Sequence, residues 1–164
     1  MKKFELTSEF ITNIFGTKLF RIKALIEFGN VKAGELGGFV EKEENLSQDG
    51  NAWVYDNAWV YDNARVYGDA CVCGDARVYG DACVCGDARV CGDAGYATVH
   101  GFGSEYRTTT FFKTKAGDIG VKCGCFYGNL SEFRKKVVET HGETKKAKEY
   151  LMLADLMEFR LTHK

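Results

Sequence analysis

Between Gly50 and Ala97, small and aliphatic positions recur every six residues through eight units: GNAWVY, DNAWVY, DNARVY, GDACVC, GDARVY, GDACVC, GDARVC and GDAGYA. In the first seven units an alanine (Ala52 to Ala88) stands two residues before a valine (Val54 to Val90). Successive strand residues point to opposite faces, so Ala and Val of each unit share one side and their neighbours the other. The Gly-Asp and Asp-Asn pairs between units are turn chemistry. Each hexad therefore predicts a short strand plus a corner. No such unit buries its own apolar side, so stacking must. Seven buried valines at about 1.5–3 kcal/mol each supply on the order of 10–20 kcal/mol before chain entropy. That margin calls for caps at both ends and for subunit association.

The six-residue register extends backwards, where Val40 and Leu46 fall on the alanine slot and suggest an irregular first coil from about Gly38 to Asp49. Forwards it fails: Tyr96 takes a valine slot and His100 an alanine slot, which places the end of the repeats near His100 to Gly103. Ahead of the repeats, Thr7 to Phe15 reads as a short helix capped by Thr7 or Ser8, and Lys18 to Leu25 alternates like a strand. Gly29-Asn30, Gly34 and Gly37-Gly38 mark turns. Behind them, Tyr106 to Lys113 and Ile119 to Phe126 predict a hairpin around Lys115–Asp118. Asn129 and Glu132 form a capping-box signature for a helix to about Thr140, stopped by Gly142. Thr144 to about Leu161 predicts a second helix whose stripe of Ala147, Tyr150, Leu151, Ala154 and Met157 is a packing face. The chain thus divides into an N-terminal cap (1–37), a repeat region (38–103) and a C-terminal hairpin with two helices (104–164).

Composition narrows the function classes. A net charge of −1 over 164 residues gives no global attraction to nucleic acid or anionic membrane. No segment is apolar enough to span a bilayer, and the two lysines of MKKFELTSEF lack the apolar run of a signal peptide. Seven cysteines, six of them in C-x-C pairs, point to free thiols in a reducing, cytosolic compartment.

With an aliphatic residue and a small residue at fixed slots of each hexad, the chain resembles the hexapeptide-repeat left-handed β-helix superfamily. The resemblance implies a mainly β fold, three hexads to a coil of eighteen residues, and a homotrimer. Outward residues eighteen apart would then stack. One face carries Trp53 and Tyr55, then Cys71 and Cys73, then Arg89 and Cys91. The second carries Trp59 and Tyr61, then Arg77 and Tyr79, then Gly95 and Ala97. The third carries Arg65 and Tyr67, then Cys83 and Cys85. The stretch LFRIKALIEFGNVKAGELGGFVEKEENLSQDGNAWVYDNA, and the tail motifs VKCGCFYGNLSEF, VETHG and AKEYL, are similar to phage- and prophage-encoded hexapeptide-repeat proteins without an assigned activity. That similarity implies a phage or prophage origin and carries over no catalytic residue.

The candidate chemistry lies in the outward rings and cations. Trp53, Tyr55, Trp59, Tyr61, Tyr67 and Tyr79, beside Arg65, Arg77 and Arg89, form an interface signature. They serve either as the homotrimer contact or as a cleft between subunits where a ring stacks a nucleotide base and an arginine meets phosphate. The resulting expectation is a non-enzymatic protein needing no cofactor, binding itself and either a nucleotide signal or a host protein, with no membrane or nucleic-acid polymer as partner. In a phage setting such sequestration would be counter-defence. The enzymatic alternative is a hexapeptide-type acyltransferase using His100 as general base; a purely structural assembly role is the third reading. His141 and His163 stand near helix and chain ends. A three-histidine zinc site is excluded by the single histidine near the repeats. Repeat drift accounts for the cysteines, and Asn/Asp corner columns serve turn backbone, so no metal is assigned.

Overall fold

The computed structural model describes residues 2–92, 95–102 and 107–162. The protein is mainly β with two C-terminal helices. Among the described residues, fourteen strands form four sheets. An N-terminal arm comprises β1 (Phe4–Thr12), β2 (Lys18–Ala24) and β3 (Leu36–Val40). Seven short strands follow: β4 (Trp53–Val54), β5 (Trp59–Val60), β6 (Arg65–Val66), β7 (Cys71–Cys73), β8 (Arg77–Val78), β9 (Cys83–Val84) and β10 (Arg89–Cys91). The C-terminal module holds β11 (Tyr96–Val99), β12 (Thr109–Lys113), β13 (Ile119–Cys123), β14 (Phe126–Asn129), α1 (Leu130–His141) and α2 (Lys145–Thr162).

In the repeats, parallel pairing joins residues eighteen apart: Val54 with Val72 and Val72 with Val90, Val60 with Val78, and Val66 with Val84. Three hexads therefore bring the chain back over itself. The seven alanines and seven valines are each no more than 1% exposed. Each corner turns on a residue with φ between 57° and 107°, glycine at most units and aspartate at Asp56 and Asp62. Aspartate tolerates this left-handed conformation because its side chain bonds locally. Here Oδ2 of Asp56 accepts from the Gly74 N–H and that of Asp62 from the Gly80 N–H, one coil further on. Asn51 and Asn63 donate likewise to Asp69 and Asp81.

The first coil departs from the sequence register. Val40 pairs with Val60 and Leu46 with Val66, an offset of twenty, so both occupy the valine slot rather than the alanine slot. The two extra residues widen the corner after Leu46, and Gln48 fills it. Its Oε1 accepts from the Lys3 and Phe4 N–H groups, and its Nε2 donates to Phe4 O. Lys3, 1% exposed, follows it inward, and its Nζ donates to Ala52 O at 2.8 Å. Burial pulls the Lys3 amine down to about 8.

Two N-terminal expectations fail. Residues 7–15 form no helix: they lie in β1 and in the tip of the β1–β2 hairpin, where Asn13 Oδ1 accepts from Phe15 and Thr17 N–H. A register shift between Leu6 and Phe10 interrupts the alternation that would have announced the strand. Gly37 and Gly38 are no turn either. They sit within β3, where a Cβ would lie 2.5 Å from Val54 O and from Ala58 O respectively, so only glycine lets the arm approach the coil this closely.

β2 and β3 continue into the parallel strands, giving a five-stranded sheet in the order β1-β2-β3-β5-β8. At the other end the ladders stop at Cys91. Tyr96, which the hexad count puts in a valine slot, and Ala97, which it stacks above Tyr79, belong instead to β11 and pair antiparallel with β12. The sheets thus do not continue as one uninterrupted coil. β12 and β13 make the predicted hairpin, and Phe126 begins a fourth strand rather than ending the third. α1 starts at the expected box, where Asn129 and Glu132 accept from each other's N–H groups, and stops at Gly142. The buried face of α2 holds Ala147, Tyr150, Leu153, Ala154, Met157 and Leu161. Of the stripe predicted for it, only Leu151 is less than fully buried.

Candidate functional site

The parallel strands display their odd-slot side chains on three faces, and the two ends of the chain decide which remain open. On the β4-β7-β10 face, Trp53 is fully buried, contrary to the expected exposure. The arm covers it: Phe4 and Phe28 meet its ring edge-on, with centroids 6.2 and 5.3 Å away. Its indole Nε1 has no hydrogen-bond partner among the described residues. Tyr55 is half-buried on the same face, and burial, then the neighbouring Cys71, push its hydroxyl pKa up. Arg89 is exposed there. Cys73 and Cys91, stacked by the eighteen-residue offset, are joined as a disulfide with Cα atoms 4.5 Å apart. The expectation of seven free thiols fails at that pair; Cys71, Cys83, Cys85, Cys123 and Cys125 are free.

On the β5-β8 face the predicted rings and cations do converge. The Arg77 guanidinium lies 4.3 Å from the Trp59 ring. Tyr61 meets Trp59 edge-on and stacks on Tyr79, with centroids 5.3 Å apart and planes inclined by 14°. Tyr79 keeps half of its surface exposed. Tyr61, Arg77 and Tyr79 floor a cleft of about 1050 Å³, walled by the β1–β2 tip (Asn13, Phe15, Thr17), by β11, and by Met157 and Arg160 of α2. Tyr96 bridges floor and wall, its hydroxyl donating to Arg77 O at 2.6 Å. The sequence reading expected such a cleft between subunits; one chain assembles this one. Phe15, Tyr96 and Arg160 escaped prediction because their neighbours in the cleft are distant in sequence. Only the alternation of Lys18 to Leu25 hinted at an arm.

On the β6-β9 face, Arg65 is exposed and Tyr67 half-buried, beside a groove of about 760 Å³ that Glu43, Glu44, Cys83 and Lys122 also line. Burial raises the pKa values of the Tyr67 hydroxyl and the Cys83 thiol; Lys122 and Arg65 oppose the latter. The predicted rings and arginines therefore fall into three separate settings, not one.

The histidines stand apart from the cleft. His100 is exposed, with Nδ1 2.9 Å from Thr108 Oγ1. His141 stacks on Tyr150 at 5.8 Å. His163 lies outside the described residues. Among the described residues no helix is long and apolar enough to cross a membrane.

Hexads paired in parallel ladders, with a cap at either end and an aromatic–arginine cleft on one face, define a mainly β repeat protein. Known proteins give partial counterparts. The family model of the YdcK beta solenoid repeat matches residues 58–74, which include Tyr61 of that cleft floor. The uncharacterized acetyltransferase YdcK of Escherichia coli (strain K12) is 40% identical over 63 residues, which cover 34% of this chain and 19% of the relative. The chain thus matches about a fifth of that protein's length. Both likenesses support a hexapeptide-repeat-like kind of protein.

Proposed function

We propose that this protein is a non-enzymatic binding protein whose repeat region winds as a left-handed parallel β-helix, and that the Tyr61–Tyr79 cleft takes a nucleotide. The single supporting observation is the pairing, in one cleft, of a half-exposed stacked tyrosine with two arginines, Arg77 and Arg160. A base laid on Tyr79 gains about 1–3 kcal/mol from stacking, and guanidinium groups are suited to phosphate. The cleft volume accommodates a mononucleotide or a small cyclic dinucleotide. With the phage-like leader and tail, this reading extends to sequestration of a nucleotide signal as counter-defence; blocking of a host protein is its macromolecular version. Calorimetric titration with linear and cyclic nucleotides tests it. Binding that weakens at least tenfold in Tyr79→Ala and in Arg160→Gln is expected; no heat from any nucleotide removes the reading.

A second reading, acetyl transfer, draws on the name of the partial relative. His100 would be its general base. Turnover of acetyl-CoA that disappears in His100→Ala would establish it, and its absence from the wild-type protein would dismiss it.

A further inference from the structure

The groove on the β6-β9 face shares no lining residue with the Tyr61–Tyr79 cleft. Its residues are brought into line along the axis of the repeats. Leu46 pairs with Val66, and Val66 with Val84, in successive parallel rungs. Arg65 pairs with Cys83 in the same ladder. The next neighbour is the C-terminal module: the Cys83 N–H donates to Thr110 Oγ1 at 3.0 Å, and Thr110 pairs with Lys122. Arg65 and Lys122 therefore flank Cys83, one from the preceding coil and one from β13. Both lie near enough to oppose the rise that burial imposes on its thiol pKa.

Over these rungs the groove, of about 760 Å³, has an apolar floor made of the half-buried Tyr67 ring and the edges of Leu46 and Val66. Its charges are uneven. Glu43 is already held by Lys2 at 2.9 Å and by Gln48 Nε2 at 3.1 Å. Glu44 is exposed, on the side away from Lys122. Arg65 and Lys122 make no ion pair and no side-chain hydrogen bond among the described residues. Lys122 is half-buried, and a cation drawn out of water without a counter-charge is costly. Two cations against the one remaining carboxylate leave a net positive charge around Cys83. The cationic end continues into an adjoining cavity of about 380 Å³, which Cys83 and Lys122 line together with Arg107.

We infer that this groove is a second ligand site, for a medium-chain carboxylate whose head lies between Arg65 and Lys122 and whose chain lies over Tyr67. A guanidinium takes a carboxylate through two parallel hydrogen bonds. The single net charge suits a monoanion better than a phosphate dianion. From Cys83 to Leu46 the groove crosses two rungs, about 10 Å, over an apolar floor that a hydrocarbon chain covers.

Calorimetric titration of the full chain with octanoate tests this, with octanol as the uncharged counterpart. Octanoate should bind, and octanol and inorganic phosphate should bind at least tenfold more weakly. Arg65→Gln and Lys122→Gln should each weaken octanoate at least tenfold, and Lys122→Arg should retain it, which a folding defect does not produce. Cys83 locates the head: octanoate should slow its alkylation by iodoacetamide at least fivefold, read by mass spectrometry of each cysteine peptide, and leave the exposed Cys125 unchanged. Absence of heat from octanoate, equal binding of octanol or phosphate, or affinity indifferent to both glutamine variants would overturn the inference. Tyr79→Ala, in the nucleotide cleft, should bind octanoate as the wild type does, so either proposal can fail alone.

Discussion

The interior of the repeats is a column of alanine and valine; beneath the two helices it is a cluster of rings. In the first, each coil contributes the same small side chains, and the parallel ladders stack them in register. In the second, Phe111, Phe133 and Tyr150 meet edge-on, with centroids 5.7 to 5.9 Å apart, and no periodicity announces them. β12 separates the two. Phe112 enters the repeat core while its neighbour Phe111 enters the helix core, as strand alternation requires. A repetitive core tolerates little variation in side-chain size but any number of units. An aromatic core is built once and fixes the end of the stack.

Phe112→Ala should show this division most clearly. Loss of a buried phenylalanine costs about 3–5 kcal/mol. Here it should open the seam and split one thermal transition into two, seen by calorimetry. Phe111→Ala should cost as much yet lower only the transition that carries the helical signal in circular dichroism. A single shared transition in both variants would show that the cores are not separable.

The next effect is at the opposite cap. The Lys3 amine titrates near 8 when folded and near 10.5 when unfolded. Above about pH 8 the unfolded chain therefore holds the extra proton, and stability rises with pH by up to about 1.4 kcal/mol per unit. Urea midpoints from pH 7.5 to 9.5 should climb in the wild type and stay flatter in Lys3→Met, with the C-terminal module unaffected in either. A smaller loss, about 1 kcal/mol, is expected for Asn129→Ala, whose side chain caps α1; the change should appear only in the helical transition. Asp56→Gly should be nearly neutral, within about 0.5 kcal/mol. Glycine relieves the left-handed backbone and removes the bond to the Gly74 N–H, and the two changes offset. A large loss there would mean that the corner columns hold the coils together more than the valines do.

The periodic part of the molecule was readable in the sequence because one short pattern recurs and each unit has one way to bury its valine. The cap at Asn129 and the β12–β13 hairpin were readable for local reasons. What escaped depends on contacts between distant segments. Val40 and Leu46 have the right spacing from each other, but the two residues added after Leu46 move both from the alanine slot to the valine slot. Trp53 has the same local setting as Trp59, and only the arm, folding back with Phe4 and Phe28, makes one a core residue and leaves the other at the surface. Of the cleft, Tyr61, Arg77 and Tyr79 were legible as a face. Phe15 and Arg160 were not, since no pattern ties residues so far apart.

The eighteen-residue winding gives the chain a built-in ruler. Inserting three hexads would move the N-terminal arm and the C-terminal module about 4.8 Å apart along the axis and keep their bearing. Removing one hexad would swing one against the other by a third of a turn. The opening between the hairpin tip and the last helix is thus set in whole coils, and copying a stretch of sequence would change the width of that cleft without altering a single side chain.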